Sequence, residues 1–317
     1  MNSNIDNQVK LVEQKNLTIK GIKINYGIIS IEHFPELQRD IQQLDEEGKI
    51  STNSQFREYI ENMKFEVPDN FPTAKYVVIL AREDKLALVN FIFKGKKHEV
   101  MISPGYYQSG LKNEDLIDLI QTQIIKEKGF KVENAQELHL KLLAVRSGLT
   151  RYGRNNISYT NDLGSFLALS AYFTDFDFKN DVLHEKKMLD ECGNCKICMK
   201  ACPNNCISED NFVINVDKCI TLYNEVEGEF PNWIKPDTHN ALFGCMKCQM
   251  FCVANKQVMK NPIRFDDITE EETNALLNGD KDITILESIS KKLRISIASN
   301  ADYYLPLIKR NLGVLLI

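Results

Sequence analysis

Residues 192–203 read C-G-N-C-K-I-C-M-K-A-C-P, a lone Cys219 follows, and residues 245–252 read C-M-K-C-Q-M-F-C. Cys192, Cys195 and Cys198 lie at C-x2-C-x2-C spacing, which lets three thiolates wrap one face of an iron–sulfur cube. Cys202, one step further on, has turned away and reaches a different cube. Pro203 stops the turn behind it from continuing as helix. Applied to the whole stretch, this crossing rule gives ligand sets for two [4Fe–4S] clusters. Cys192, Cys195 and Cys198 are completed by Cys252, while Cys202 joins Cys219, Cys245 and Cys248. Cys206 is left over and reads most simply as a small buried apolar residue.

The first half has the spacing of bacterial two-cluster ferredoxins, and the second half departs from it. Cys219 is separated from Cys245 by 25 residues, and Val253 stands where a proline is expected. Zinc and disulfides are the plainer alternatives. Zinc favours two well-separated C-x2-C pairs, often with histidine, and gives a third cysteine two residues on no tetrahedral task. Disulfides need an oxidising compartment, and adjoining C-x2-C pairs crowd badly in small bridged loops. The spacing favours iron–sulfur ligation.

All nine cysteines fall within residues 192–252 of a 317-residue chain. Such crowding indicates metal ligation in a reducing cytoplasm rather than a scattered disulfide framework. A net charge of −5 exerts no global pull toward nucleic acid or an anionic membrane. Met1–Lys10 is polar, without an apolar signal core. Runs such as Tyr76–Ala81 are too short to span a bilayer, so no membrane partner is expected.

Residues 1–65 read mainly helical, with Ile31, Phe34, Leu37, Ile41 and Leu44 on one stripe and a second helix at Ser54–Met63. Tyr76–Ala81 reads as a buried strand, with Leu86–Phe93 and His98–Ile102 as its neighbours. Leu111–Lys126 and Glu137–Val145 read as helices around a short strand at Phe130–Glu133, and Gly164–Phe173 as a further strand. Helices are expected near 269–277, 283–298 and 301–315. The fold class is therefore α+β: an α/β-like N-terminal cofactor domain with a sheet covered by helices (1–185), a ferredoxin-like two-cluster domain (186–262) and a small helical C-terminal cap (263–317). Between strand and clusters lies Arg146–Ile157, with two glycines, two asparagines and three arginines. It reads either as a solvated turn or as backbone suited to an anionic or amide-rich ligand.

With these motifs in hand, the chain resembles the epoxyqueuosine reductase family, cobalamin-dependent proteins with two [4Fe–4S] clusters that are related in design to reductive dehalogenases. The likeness rests on the cysteine arrangement, on Ala144–Leu149 followed by Gly153-Arg-Asn155, on Gly164-Ser165 and Phe173-Thr-Asp175, and on Arg310-Asn-Leu312. It covers about 130–317. The family's proton-delivering aspartate, counted back from Gly148, falls on Asn134, with Glu133 beside it, and its E-R pair falls on Leu140 and Lys141. The chain thus looks like a divergent relative.

The resemblance implies a corrinoid seated without a histidine ligand between the N-terminal layer and the clusters. Its contacts would be Ser147, Gly148, Leu149, Gly153, Arg154, Asn155, Asn156, Gly164 and Ser165. Electrons from a low-potential ferredoxin- or flavodoxin-type donor would pass through both clusters to give Co(I). A reductive elimination or deoxygenation would follow on a small-molecule or modified-nucleoside substrate. Candidate proton donors are Glu133, Lys141 and Tyr152. His139 reads as a half-buried surface residue, and Tyr106, Tyr107 and Trp233 as packing aromatics. The alternative function is an electron-transfer protein that reduces a partner's cofactor, such as a corrinoid protein, and a further one is tRNA queuosine modification.

Overall fold

The computed structural model describes residues 16–135, 137–179, 182–209 and 213–317. Its first sheet is built from β1 (Leu17–Ile19) and β2 (Ile22–Ser30), followed by helices α1 (Phe34–Glu46) and α2 (Ser54–Glu61) and then β3 (Tyr76–Glu83). Next come β4 (Ala87–Phe93), β5 (Lys96–Ile102), α3 (Asn113–Leu119), β6 (Val132–Asn134) and α4 (Leu140–Arg146). A small hairpin of β7 (Arg151–Tyr152) and β8 (Ser158–Tyr159) precedes β9 (Leu167–Thr174).

The sheet order β1-β2-β3-β9-β6 is antiparallel throughout. Strand period two sends Val77, Ile79 and Ala81 of β3 to one face and Val78 and Leu80 to the other. The first face packs against Phe34 and Leu37 of α1 and Leu142, Leu143 and Ala144 of α4. The second packs against Leu116 and Leu119 of α3. Both faces are covered, which explains why β3 reads as a continuous apolar run.

The α+β class holds, and three local expectations do not. Residues 16–65 carry the two expected helices as α1 and α2 but are not helical before them: β2 alternates around fully buried Ile24 and Ile29 and pairs with β3 from Ile24 to Ser30. Tertiary pairing decides there, because Gly27 and Asn25 weaken the local strand signal. Residues 1–15 of that expectation lie outside the described residues. Next, β4 and β5 do not flank β3. They form a separate sheet, in which β10 (Ile263–Arg264) lies parallel to β4. Finally, the helix expected to run to Lys126 turns to wider π geometry over Ile120–Ile125 and ends at left-handed Lys126.

The cluster insert contributes three short helices, α5 (Ile197–Ala201), α6 (Ile220–Asn224) and α7 (Lys247–Met250). The chain closes with α8 (Glu270–Asn278), α9 (Ile283–Leu293) and α10 (Ala301–Leu315). These last helices share one core with β4 and β5, built on Val89, Phe91, Leu276, Ile289 and Ile308. From α10, Asn311 donates to the carbonyls of Asn224 and Leu242, each at 2.9 Å. Arg310 donates to Tyr223 O at 2.7 Å and Val226 O at 2.8 Å. These contacts fix α6 and the approach to Cys245 against the C-terminal helices.

Candidate metal centre

The two halves of the cysteine stretch meet through α5 and α7. Cys198 sits in the first turn of α5, and Cys202 closes it with N–H donated to Cys198 O at 3.0 Å. Cys202 is then extended (φ −73°, ψ 116°), as the residue before a proline must be, and its side chain leaves the direction of the preceding three. Cys192, Cys195, Cys198 and Cys252 line one apolar cavity together with Ile197, Val253 and the Gly153–Asn155 turn. Burial, then the neighbouring thiols Cys192, Cys252 and Cys195, push Cys198 up to about 11. Iron binding would relieve that crowding by taking the thiolate form.

One arginine organises this cavity. Arg154 is 3% exposed, and its guanidinium donates to the carbonyls of Cys192, Gly193, Cys195 and Glu209. A planar fork with five donors suits a loop whose carbonyls all turn inward. Next to it, Asn155 Nδ2 donates to the Tyr159 hydroxyl at 2.9 Å. Tyr159 reaches Cys252 and Asn155 reaches Cys248. Burial, with the Cys252 charge behind it, raises the Tyr159 phenol far above its usual value, so it acts as a neutral donor to sulfur.

The second thiol group gathers Cys202, Cys219, Cys245 and Cys248, whose sulfurs sense one another electrostatically. Cys206 joins them. Its Sγ lies 3.2 Å from Cys202 Sγ, and it also hydrogen-bonds Cys219. These bonds lower Cys202 to about 6 and Cys219 to about 7 and hold Cys206 protonated. Asn240 Nδ2 donates to Cys245 Sγ at 3.2 Å. Among the described residues no three His, Cys, Asp or Glu side chains converge on a single-ion site.

Tyr106, hydrogen-bonded to Glu225, and Lys141 both lie within electrostatic reach of Cys219. Tyr106 stacks over Gly244, where an added Cβ would meet its hydroxyl at 3.0 Å, and that hydroxyl donates to Glu225. Burial raises Glu225 to about 7. Lys141 Nζ donates to Asn156 O at 2.9 Å and to Asn156 Oδ1. It is open to solvent, yet crowding by protein lowers it to about 8, and Cys219 acts in the opposite direction.

The remaining candidates are dispersed. Ser147 donates to Ala144 O at 3.0 Å and packs against Gly27; Leu149 belongs to the core under the first sheet. Gly148 has φ +77° and would meet His184 at 2.7 Å if it carried a Cβ. Gly153, Arg154 and Asn155 border the first cavity, and Asn156 adopts φ +61° above Lys141. Gly164 and Ser165 lock onto the cluster insert: Ser165 N–H donates to Asn255 Oδ1 at 2.9 Å, and its hydroxyl donates to Gln249 Oε1 at 2.8 Å. Glu133 pairs with Lys131 at 2.6 Å on β6. Tyr152 is buried, its phenol raised by burial and then by Asp40. Asn134 donates to Asn113 Oδ1 at 3.2 Å. Sequence reasoning missed the company kept by Cys206, Tyr106 and Glu225. The i, i+4 spacing from Cys202 was the available clue for Cys206.

Two thiol groups carried on an α+β layer define a double-cluster iron–sulfur protein, and the 4Fe-4S double cluster binding domain family matches residues 191–255. The chain is 23% identical to the epoxyqueuosine reductase of Staphylococcus aureus over 266 residues, covering 78% of this chain and 64% of that relative. It spans less than two thirds of the length of the curated relatives it matches first. Among solved structures it is similar to Bacillus subtilis epoxyqueuosine reductase with its catalytic aspartate loop swung out of the active site. That match has a TM-score of 0.62 at 21% identity, over 92% of this chain and 76% of that one. It is also similar to an epoxyqueuosine reductase bound to an epoxyqueuosine-modified tRNA-Tyr stem loop, with a TM-score of 0.59 at 21% identity and the same coverage of both chains. The chain is epoxyqueuosine reductase-like in sequence and in fold.

Proposed function

We propose that the chain is an iron–sulfur reductase for the reductive deoxygenation of a modified nucleoside, with two [4Fe–4S] clusters and a corrinoid as its redox groups. Cys192, Cys195, Cys198 and Cys252 would hold one cluster, and Cys202, Cys219, Cys245 and Cys248 the other. The observation that carries the reading is the gathering of the two halves of the cysteine stretch into two thiol groups, Cys192, Cys195, Cys198 and Cys252 around one cavity and Cys202, Cys219, Cys245 and Cys248 in the other group, with Lys141 within electrostatic reach of Cys219. The first group lies on the outer side, where Ile197, Phe251 and Val253 are 38%, 57% and 49% exposed. An exposed apolar rim suits a transient electron donor, so electrons would enter there and move inward.

The residues fit a corrinoid bound without histidine. His139 packs on Phe65 with ring centroids 5.4 Å apart, His184 covers Gly148, and His239 lies on Phe230 at 4.4 Å. Lys141, Asn156 and the buried hydroxyls of Thr150 and Ser158, which have no hydrogen-bond partner among the described residues, are the polar groups that would hold it. When bound, a corrinoid supplies the strong reducing centre that the protein side chains lack. Of the three candidate acids, Lys141 lies within electrostatic reach of Cys219, and its pKa suits proton donation near neutrality. Asn134, standing where the family carries its aspartate, favours the second reading, an electron carrier for a partner's cofactor.

Anaerobic purification with iron and corrinoid analysis separates the two. About eight irons and one tightly held corrinoid support the reductase; about eight irons with no corrinoid uptake support the carrier. Turnover of an epoxide-bearing tRNA stem loop, with binding that weakens as salt rises, supports the nucleoside substrate.

A further inference from the structure

Five thiols share the second group, although a four-iron cube takes one cysteine per iron. Cys206 is 5% exposed, and nothing in the reductase reading uses it. The turn from Cys202 to Cys206 presents both sulfurs to one place. Asn205 adopts φ +52°, its N–H reaches back to Cys202 O at 3.4 Å, and Cys206 O accepts from Asn215 N–H at 2.8 Å. The Cys206 N–H itself points at Cys202 Sγ, 3.5 Å away. Sulfurs 3.2 Å apart are too close to serve different corners of a cube. They are placed to compete for the same iron.

We infer that Cys206 is an alternate ligand of the second cluster, able to take the iron that Cys202 holds. This rests on the ligand assignment proposed above. In the exchange an Fe–S bond to Cys202 breaks and one to Cys206 forms. The proton leaves the Cys206 thiol and ends on the Cys202 sulfur, and no electron changes hands. The Asn215 N–H on the Cys206 carbonyl holds the turn in both arrangements, while the hydrogen bond from the Cys206 thiol to Cys219 is given up when Cys206 takes the iron.

Iron and acid-labile sulfide counts on the full chain, reconstituted anaerobically, test this in a set of variants. Wild type carries about eight irons, and Cys245→Ala, which has no neighbouring substitute, falls to about four. Cys202→Ala is expected to keep about eight, with a changed electron paramagnetic resonance signal for the second cluster. Cys202→Ala combined with Cys206→Ala falls to about four. The first cluster's signal, whose ligands are untouched, reports that each variant has folded. Cys202→Ala at about four irons with that signal intact overturns the inference. So does Cys206→Ala alone at about four, which would make Cys206 an ordinary ligand. A wild type that never reaches about eight irons instead sinks the ligand assignment.

Discussion

The two thiol groups are built from the same kind of short helix and yet differ in what surrounds them. The first is closed by directional contacts: the charged Arg154 fork on loop carbonyls and the neutral Tyr159 hydroxyl on Cys252. The second lies near two groups that burial moves toward neutrality, Lys141 and Glu225, the latter accepting from the Tyr106 hydroxyl. The difference teaches a division of labour. Fixed hydrogen bonds would suit a cluster that only passes electrons, while a protonic border would suit a cluster next to the chemistry.

The comparison breaks most sharply at Cys198. Cys198→Ala is expected to remove one cluster, drop iron from about eight to about four and abolish reductive turnover, while the second cluster's resonance signal persists. A chain with its full iron after this change would refute the assignment of the first group. Lys141→Met comes next. It should lower turnover by about 10²–10⁴-fold with clusters intact, the range for a lost general acid. In wild type the rate should fall as pH rises past about 8, where Lys141 gives up its proton, and this limb should vanish in the variant.

Arg154→Ala is expected to cost about 3 kcal/mol of stability, since several buried acceptors lose a charged donor. The loss should appear in thermal unfolding and as faster iron release from the first group alone. The smallest effect concerns Glu225. Its folded pKa is raised from 4.5 to about 7 by burial, so between those values the folded chain binds more protons than the unfolded one. Stability should therefore decline as pH rises through that window, by on the order of 1–3 kcal/mol. Glu225→Gln should flatten the decline, as denaturant titrations across pH 4–8 would show.

What the sequence made legible follows from the range of the forces involved. The Cys192–Cys198 spacing and the proline after Cys202 act within one turn, so their geometry can be read residue by residue. The strand at Ile22–Ser30 could not be read this way, because Asn25 and Gly27 interrupt its local signal and seven register pairs with β3 define it instead. The same holds for the separate sheet of β4 and β5, which exists because the C-terminal helices arrive from residues 270–315 to cover it. Cys206 reads as packing because its i, i+4 spacing from Cys202 is a weak signal until Cys219, contributed by the next element of the insert, joins the pair. Lys141 was nameable from a family count, but its depressed pKa comes from crowding that no linear pattern encodes.

Mössbauer spectroscopy of the anaerobically purified, iron-57-enriched chain tests the central claim most directly. Two [4Fe–4S] clusters per chain, with one of them perturbed when corrinoid is added, are the expected result. Zinc in the cysteine sites, or a single cluster indifferent to corrinoid, would contradict it.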